Sequence, residues 1–187
     1  MTQTLSEMNT LAGAEIAAVI ESIDAGQVDE LIEALLSARH IATHGVGREG
    51  LMMKAICMRL YHLGLDAHVV GDMTVPHLGE GDLLVVSAGP GYFSTIDGLI
   101  ITAQNAGAKA ACLTAQDAGQ CPQRADHVLL LPAQTMANDA DAPTSFLPMG
   151  SLYEAAQFLF GEYLVLMLRE RLNINAEAMR ARHTNLE

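Results

Sequence analysis

The sequence predicts an α/β protein built on a single doubly wound, five-stranded parallel sheet flanked by helices, the flavodoxin-like arrangement. Two observations predict it. Short strand-like runs alternate with helical patterns along the chain, and each run is continuously apolar, as strands covered by helices on both faces must be. Length agrees: at roughly 100–200 residues per domain, 187 residues make one domain.

The elements follow in order. Apolar residues at Leu5, Met8, Leu11, Ile16, Val19, Ile20 and Ile23 have helical spacing and predict a first helix over 5–21, with the apolar pattern running on to Ile23. Gly26 interrupts, and Leu31, Ile32, Leu35 and Leu36 predict a second helix over 28–37. Residues 40–43 are short, apolar and soon followed by Gly45, which reads as a buried strand. A helix over 49–63 carries Met52, Met53, Ile56, Met58, Leu60 and Leu63, with the methionines read as core and subunit contact. Strands over 67–70 and 82–87 come next, then a helix over 95–105 that ends before Gly107. Two further strands occupy 109–114 and 127–131. A loop rich in Ala, Asp and Pro leads to a long helix over 151–172 and a short tail. The domain plan is therefore N-terminal helices over 1–37 packed on a domain over 38–172, with a tail over 173–187.

Composition excludes several classes. Half of the residues are hydrophobic and 17% are charged, enough to bury a core and too apolar for general disorder. A net charge of −12 is the wrong sign for a protein that neutralises many phosphates, so no nucleic-acid partner is expected. Cys57, Cys112 and Cys121 lack CxxC spacing, and the seven histidines have no metal-ligand spacing, so neither a disulfide scaffold nor a metal is expected. The N-terminus lacks a basic region before its apolar stretch, and the run over 155–168 is broken by Gln157, Gly161 and Glu162. The expectation is a cytoplasmic protein with no membrane contact.

In doubly wound sheets, ligands sit outside the carboxyl ends of the strands. The loop after the first strand, HGVGREG over 44–50, brings Gly45, Gly47 and Arg48 to the start of a helix. Glycines allow close backbone approach and the helix start offers free N–H groups, which together make an anion cradle. A single phosphate or sugar site ranks ahead of a plain tight turn, with a dinucleotide site behind both. The dinucleotide reading needs an acid at the end of the second strand; Asp66 has the spacing but stands at its start, and Asp72 is not followed by a helix. The loop after the third strand, SAGPGYFST over 87–95, is another glycine-rich turn. Ser94 or Thr95 there can cap the next helix.

These segments, GVGREG followed by KAICMRLYHLG, resemble the sugar isomerase (SIS) domain and, within it, the 6-phospho-3-hexuloisomerases. Further segments agree in order: GDMTVPHLGEGDLLVVS, FLPMGSLYEAAQFLF and the terminal MRARHTNLE with its RH-x-NLE signature. The resemblance implies a five-stranded parallel sheet and a cofactor-independent isomerisation of a small-molecule sugar phosphate. It also implies a homotetramer with sites near subunit contacts. The candidate substrate-binding residues are Gly45, Gly47 and Arg48 of the first loop and Ser87, Gly89, Gly91, Ser94 and Thr95 of the third-strand loop, with Ser87 and Ser94 near the family's hydroxyl positions but out of register. The family's third-strand loop reads SGSG-x-T-x-S, whereas this chain has Ala88, Pro90 and Phe93 at three hydroxyl positions and keeps Thr95. Pro90 also deletes a backbone donor.

The reaction class needs a base that removes a carbon-bound proton and returns it to the neighbouring carbon. Glu154 is the candidate, one turn into the long helix; the alternative is a capping box with Ser151, which has the spacing for it. By the resemblance, His183 reaches a neighbouring subunit's site to move a proton between hydroxyl and carbonyl, against its reading as a solvated tail residue. His44 stands at the ligand edge, where a structural role competes with a catalytic one. Lys54 and Arg59 share the helix after the first loop, and only one can face the site. The function expected is interconversion of a 3-ketohexose 6-phosphate and fructose 6-phosphate, or a close analogue, through an enediol. The alternatives are a non-catalytic module that binds a sugar phosphate or related metabolite and, behind it, a nicotinamide-dependent oxidoreductase. The surplus of apolar surface on the first helix and the Met-rich helix predicts a homo-oligomer, a tetramer built as a dimer of dimers.

Overall fold

The computed structural model describes residues 3–140 and 143–186; Met1, Thr2, Asp141, Ala142 and Glu187, the last residue of the RH-x-NLE segment, lie outside the described residues. Two helices open the chain, α1 (Leu5–Glu21) and α2 (Ala25–Ser37). Thr4 and Glu7 form a capping box at the start of α1. Asp24 caps α2 by accepting from the Gln27 N–H at 2.9 Å, so the helix starts at Ala25 and takes Gly26 into its first turn rather than stopping there.

Next come β1 (Ile41–Gly45), α3 (Gly47–His62), β2 (Ala67–Val69), β3 (Leu83–Ser87), α4 (Ser94–Asn105) and β4 (Lys109–Thr114). The chain continues through α5 (Gln120–Arg124), β5 (His127–Leu130), α6 (Ser151–Arg171) and α7 (Ala176–Ala181). The five expected strands are all present. β1 runs further than expected because Gly45 still pairs with Ser87. β3 starts one residue later than expected, since the Asp82 N–H donates to the Gly79 carbonyl at 3.0 Å in a turn rather than to a neighbouring strand. Sequence periodicity does not reveal α5 and α7; at five and six residues they are too short to show a helical period.

The strand order is β2-β1-β3-β4-β5, all parallel. Alternation along β3 divides the core, Leu83 and Val85 packing with α2, α3 and α6, and Leu84 and Val86 packing with α4. Helix α3 leaves β1 toward the first layer with Met53, Ile56 and Leu60, while α4 leaves β3 toward the second with Ile96 and Ile100. The neighbours β1 and β3 thus send their helices to opposite faces, and a crevice opens between their carboxyl ends. Val19 of α1 and Leu31, Ile32 and Leu35 of α2 share one core cluster with β1 and α6.

Met53 is core, but Leu51, Met58 and Tyr61 of α3 and Phe158, Tyr163 and Leu166 of α6 are exposed. No helix among the described residues is long and apolar enough to cross a membrane.

Helices α3 and α6 cross closely at Gly161, where an added Cβ would lie 2.6 Å from Ile56 Cγ1. Gly161→Ala is expected to cost about 1–3 kcal/mol by overpacking. Gly13→Ala, in the exposed interior of α1 with nothing within 4 Å of the added carbon, is expected to stabilise by about 0.5–1 kcal/mol. Urea denaturation of the two variants checks the contrast in sign.

Candidate active site

A cleft of about 310 Å³ lies at the β1/β3 crevice, between the first turns of α3 and α6 and the β3–α4 loop. Its site-forming residues are Gly47, Arg48 and Glu49 from α3, Pro90 and Phe93 from the loop, and Tyr153 and Glu154 from α6. A larger cavity of about 450 Å³, between α1 and the segment after β5, holds none of the candidate site residues.

The glycine motif acts through packing more than through an open cradle. An added Cβ on Gly50 would lie 2.4 Å from the Gly45 carbonyl oxygen, so β1 and α3 can touch only without side chains there. Gly47 has φ +61 with nothing within 4 Å of an added Cβ, so its requirement is conformational. This turn places Arg48 outward and Glu49 inward.

Arg48 joins the two helices. Its Nη1 donates to Ser151 Oγ at 3.0 Å, and its Nε lies 3.0 Å from Glu154 Oε2. The capping box expected between Ser151 and Glu154 is absent: Gly150 is the N-cap, with no side-chain cap bond, and Glu154 turns to Arg48 instead. The Glu154 side chain is 14% exposed. Burial pushes its carboxyl above the ordinary range, and the Arg48 guanidinium pulls in the opposite direction without cancelling the effect.

The approach to α6 is held firmly. Met149, on the cleft wall, has φ +56, an uncommon conformation for a side-chain-bearing residue. Buried Gln134 fixes it, donating to the Met149 carbonyl at 2.9 Å and accepting from Thr144 N–H at 2.7 Å and Ser145 N–H at 3.0 Å. Glu15 of α1 adds two bonds, accepting from Ser145 Oγ and from Phe146 N–H at 2.7 Å.

The cleft floor is a buried polar cluster in which the expected Ser87 and Gly89 meet two residues absent from the expected site, Glu49 and Tyr153. Glu49 is 7% exposed. Its Oε2 accepts from Ser87 Oγ at 2.6 Å and from Gly89 N–H at 2.9 Å. Ser87 Oγ is also 3.1 Å from the hydroxyl of fully buried Tyr153. Burial raises the Glu49 carboxyl despite the bonds from Ser87 and Gly89, and nearby Glu154 adds to the rise. Burial likewise drives the Tyr153 hydroxyl up. Gly89 is obligatory, since a Cβ there would lie 2.8 Å from the Tyr153 ring. The expected substrate groups Ser87 and Gly89 therefore face Glu49.

Gly91 turns the loop with φ +84, and Ser94 and Thr95 stand exposed in the first turn of α4. Neither caps that helix. Phe93 is the N-cap, extended and with no side-chain cap bond, so both hydroxyl residues already lie inside the helix.

The remaining candidates lie apart. His183 stacks on His62 with ring centroids 5.3 Å apart, and its Nδ1 is 2.8 Å from the Thr184 carbonyl. His62 ends α3 and Arg48 begins it, 14 residues apart, about 21 Å at ~1.5 Å per residue. Within one chain, His183 does not meet Glu154. His44 and Lys54 line a separate cavity of about 180 Å³, and burial lowers the His44 pKa. Arg59 pairs with Glu162 at 3.1 Å. Asp66 binds His40 and His68 at the amino end of β2, away from the cleft. No group of three or more metal-ligating His, Cys, Asp or Glu residues occurs among the described residues.

The fold superposes on a Methanococcus jannaschii protein with TM-score 0.84 and 25% identity, covering 97% of this chain and 99% of that one. That crystal structure is described as inferring a molecular function of 3-hexulose-6-phosphate isomerase. An Escherichia coli protein solved as a ligand complex shares the fold alone, with TM-score 0.78 and 15% identity over 98% of this chain and all of the other. Fold and relatives together define a phosphosugar isomerase of the SIS class.

No family model matches the chain. The 3-hexulose-6-phosphate isomerase of Bacillus subtilis is 34% identical over 161 residues, 86% of this chain and 87% of the relative. That of Mycobacterium gastri is 34% identical over 173 residues, 92% and 86% of the two chains. The chain belongs to the 3-hexulose-6-phosphate isomerase family. That membership places it among the isomerases and sets aside the nicotinamide-dependent oxidoreductase.

The Glu49 carboxyl titrates higher in the folded protein than in the unfolded chain. The folded state then binds the proton more tightly, so stability falls as pH rises through the window between the two values. Glu49→Gln is expected to gain stability over the wild type as pH rises, with the gain vanishing in acid, where both side chains are neutral. Melting temperatures measured from acidic to mildly alkaline pH check this.

Proposed function

We propose that this protein interconverts a 3-ketohexose 6-phosphate and fructose 6-phosphate, or a close analogue, with Glu154 as the base. The observation that carries the reading is the partly buried Glu154 carboxylate on the cleft wall, raised by burial and oriented by Arg48. Glu154 takes the proton from C2 of the 3-ketose while O3 takes up a proton, which gives a 2,3-enediol. The protonated Glu154 returns its proton to C3 as O2 gives up its own, and C2 becomes the carbonyl, so the net change is one proton moved between carbons and one between oxygens. The base must be ionised, so activity rises with pH through a value above the ordinary carboxylate range. Arg48 stands beside that carboxylate and Gly47 lines the same cleft as binding groups, with Ser94 and Thr95 in the first turn of α4.

A specific observation favours a second reading, a non-catalytic module that binds a sugar phosphate or related metabolite. Pro90 and Phe93 stand at the cleft where the family pattern has hydroxyls, and Ser87 and Gly89 are engaged by Glu49.

The two readings separate on Glu154→Gln, which keeps shape and removes the base. The isomerase reading expects it to lower kcat by ~10²-fold or more with the fold intact. Full activity in the variant returns Glu154 to a structural role, and absence of isomerase activity in the wild type leaves the binding module.

The exposed apolar residues of α3 and α6 support a homo-oligomer, a tetramer, in which the tail over 173–187 brings His183 to a neighbouring subunit's cleft. Light scattering at micromolar concentration is expected to give a multiple of 19.9 kDa. A monomer removes His183 from the site.

A further inference from the structure

The β3–α4 loop ends at the carboxyl edge of the sheet, where backbone N–H groups and hydroxyls ordinarily receive an anion. Each donor from the Ser87 hydroxyl to the Gly91 N–H is already engaged or absent. Ser87 Oγ donates to Glu49 at 2.6 Å, and Ala88 N–H to the Leu113 carbonyl at 2.9 Å. Gly89 N–H donates to Glu49 at 2.9 Å, Pro90 has no N–H, and Gly91 N–H donates to the Ala88 carbonyl at 2.8 Å. The two donors not held by backbone carbonyls, the Ser87 hydroxyl and the Gly89 N–H, converge on one carboxylate oxygen, Glu49 Oε2.

We infer that Glu49 is a specificity-determining residue, whose carboxylate fills the anion-receiving end of the β3–α4 loop from inside the protein and weakens the binding of phosphate there. Glu49 lines the cleft and replaces the external anion with a tethered one. Charge acts in the same direction. Glu49 and Glu154 present two carboxylates to the cleft, and the guanidinium beside them, Arg48, is engaged with Glu154 and Ser151. A phosphate entering here meets repulsion at short range in a partly desolvated site. A neutral polyol meets none, and it can donate a hydroxyl to the second carboxylate oxygen of Glu49.

The inference rests on the cleft of the proposed function being the substrate site, and its test is separable from that reading. Glu49→Ser removes the carboxylate and empties its volume; Glu49→Gln keeps the shape, retains an acceptor for Ser87 and Gly89, and removes only the charge. Inorganic phosphate and unphosphorylated fructose are titrated calorimetrically into the wild type and both variants at pH ~7.5 and again at pH ~9, the second because burial raises the Glu49 carboxyl above the ordinary carboxylate range. At least one variant is expected to bind phosphate roughly tenfold or more tightly than the wild type, with no matching gain for fructose. A gain in Glu49→Ser alone assigns the effect to occupancy, and a gain in both assigns it to charge. Unchanged or weaker phosphate binding in both variants overturns the inference. A wild type without isomerase activity overturns the isomerase reading while leaving the phosphate comparison intact.

Discussion

The site depends on the contact between Gly45 and Gly50. A methyl group at either position would collide with backbone atoms of the other turn, so β1 can run directly into α3 only with hydrogen on both. That constraint sets where the next side chains go. Gly47 takes a left-handed conformation, Arg48 swings toward α6, and Glu49 drops beneath the β3–α4 loop. One backbone approach thus puts a cation on the rim of the cleft and a carboxylate on its floor.

Helix α6 completes the arrangement from the other side. Gly161 lets it lie close against Ile56 of α3, and Arg48 fastens its first turn through Ser151 and Glu154. Two adjacent residues of that turn then face different environments. Tyr153 is fully buried against Ser87, whereas Glu154 keeps partial access to the cleft. Their acidities are shifted by the same cause, burial, but only the partly exposed group remains available to a ligand.

Much of the fold is legible in the sequence. The strand over 109–114 has its observed bounds there, because Lys109 begins and Thr114 ends an otherwise apolar run. The capping reading of Ser94 fails because extended Phe93 takes the cap position, a matter of backbone direction that composition does not carry. Sequence reasoning finds both Glu154 and Arg48 but not that they pair, since they stand 106 positions apart and meet only through the packing of α3 on α6. It misses Glu49, although a signal exists. Glu49 stands four residues before Met53 and seven before Ile56, on the stripe of α3 that faces the core. An acid on that stripe must find donors, and Ser87 and Gly89 supply them. Glycine spacing draws attention to the backbone of the motif and away from its one inward charge.

The two bonds from Glu15 to Ser145 and Phe146 have a consequence for local stability. They fasten the first helix to the segment that sets the start of α6, so α1 cannot detach while that segment keeps its native hydrogen bonds. Detachment of α1 and loosening of the Glu154 wall therefore belong to one opening event, with a common free energy. Amide protons in the middle of α1 and the bonded amides of residues 144–147 would share an opening free energy in hydrogen exchange, though one group begins the chain and the other lies far along it. The first helix is in this sense a remote wall of the cleft, and its anchorage bears on how often Glu154 loses its native surroundings.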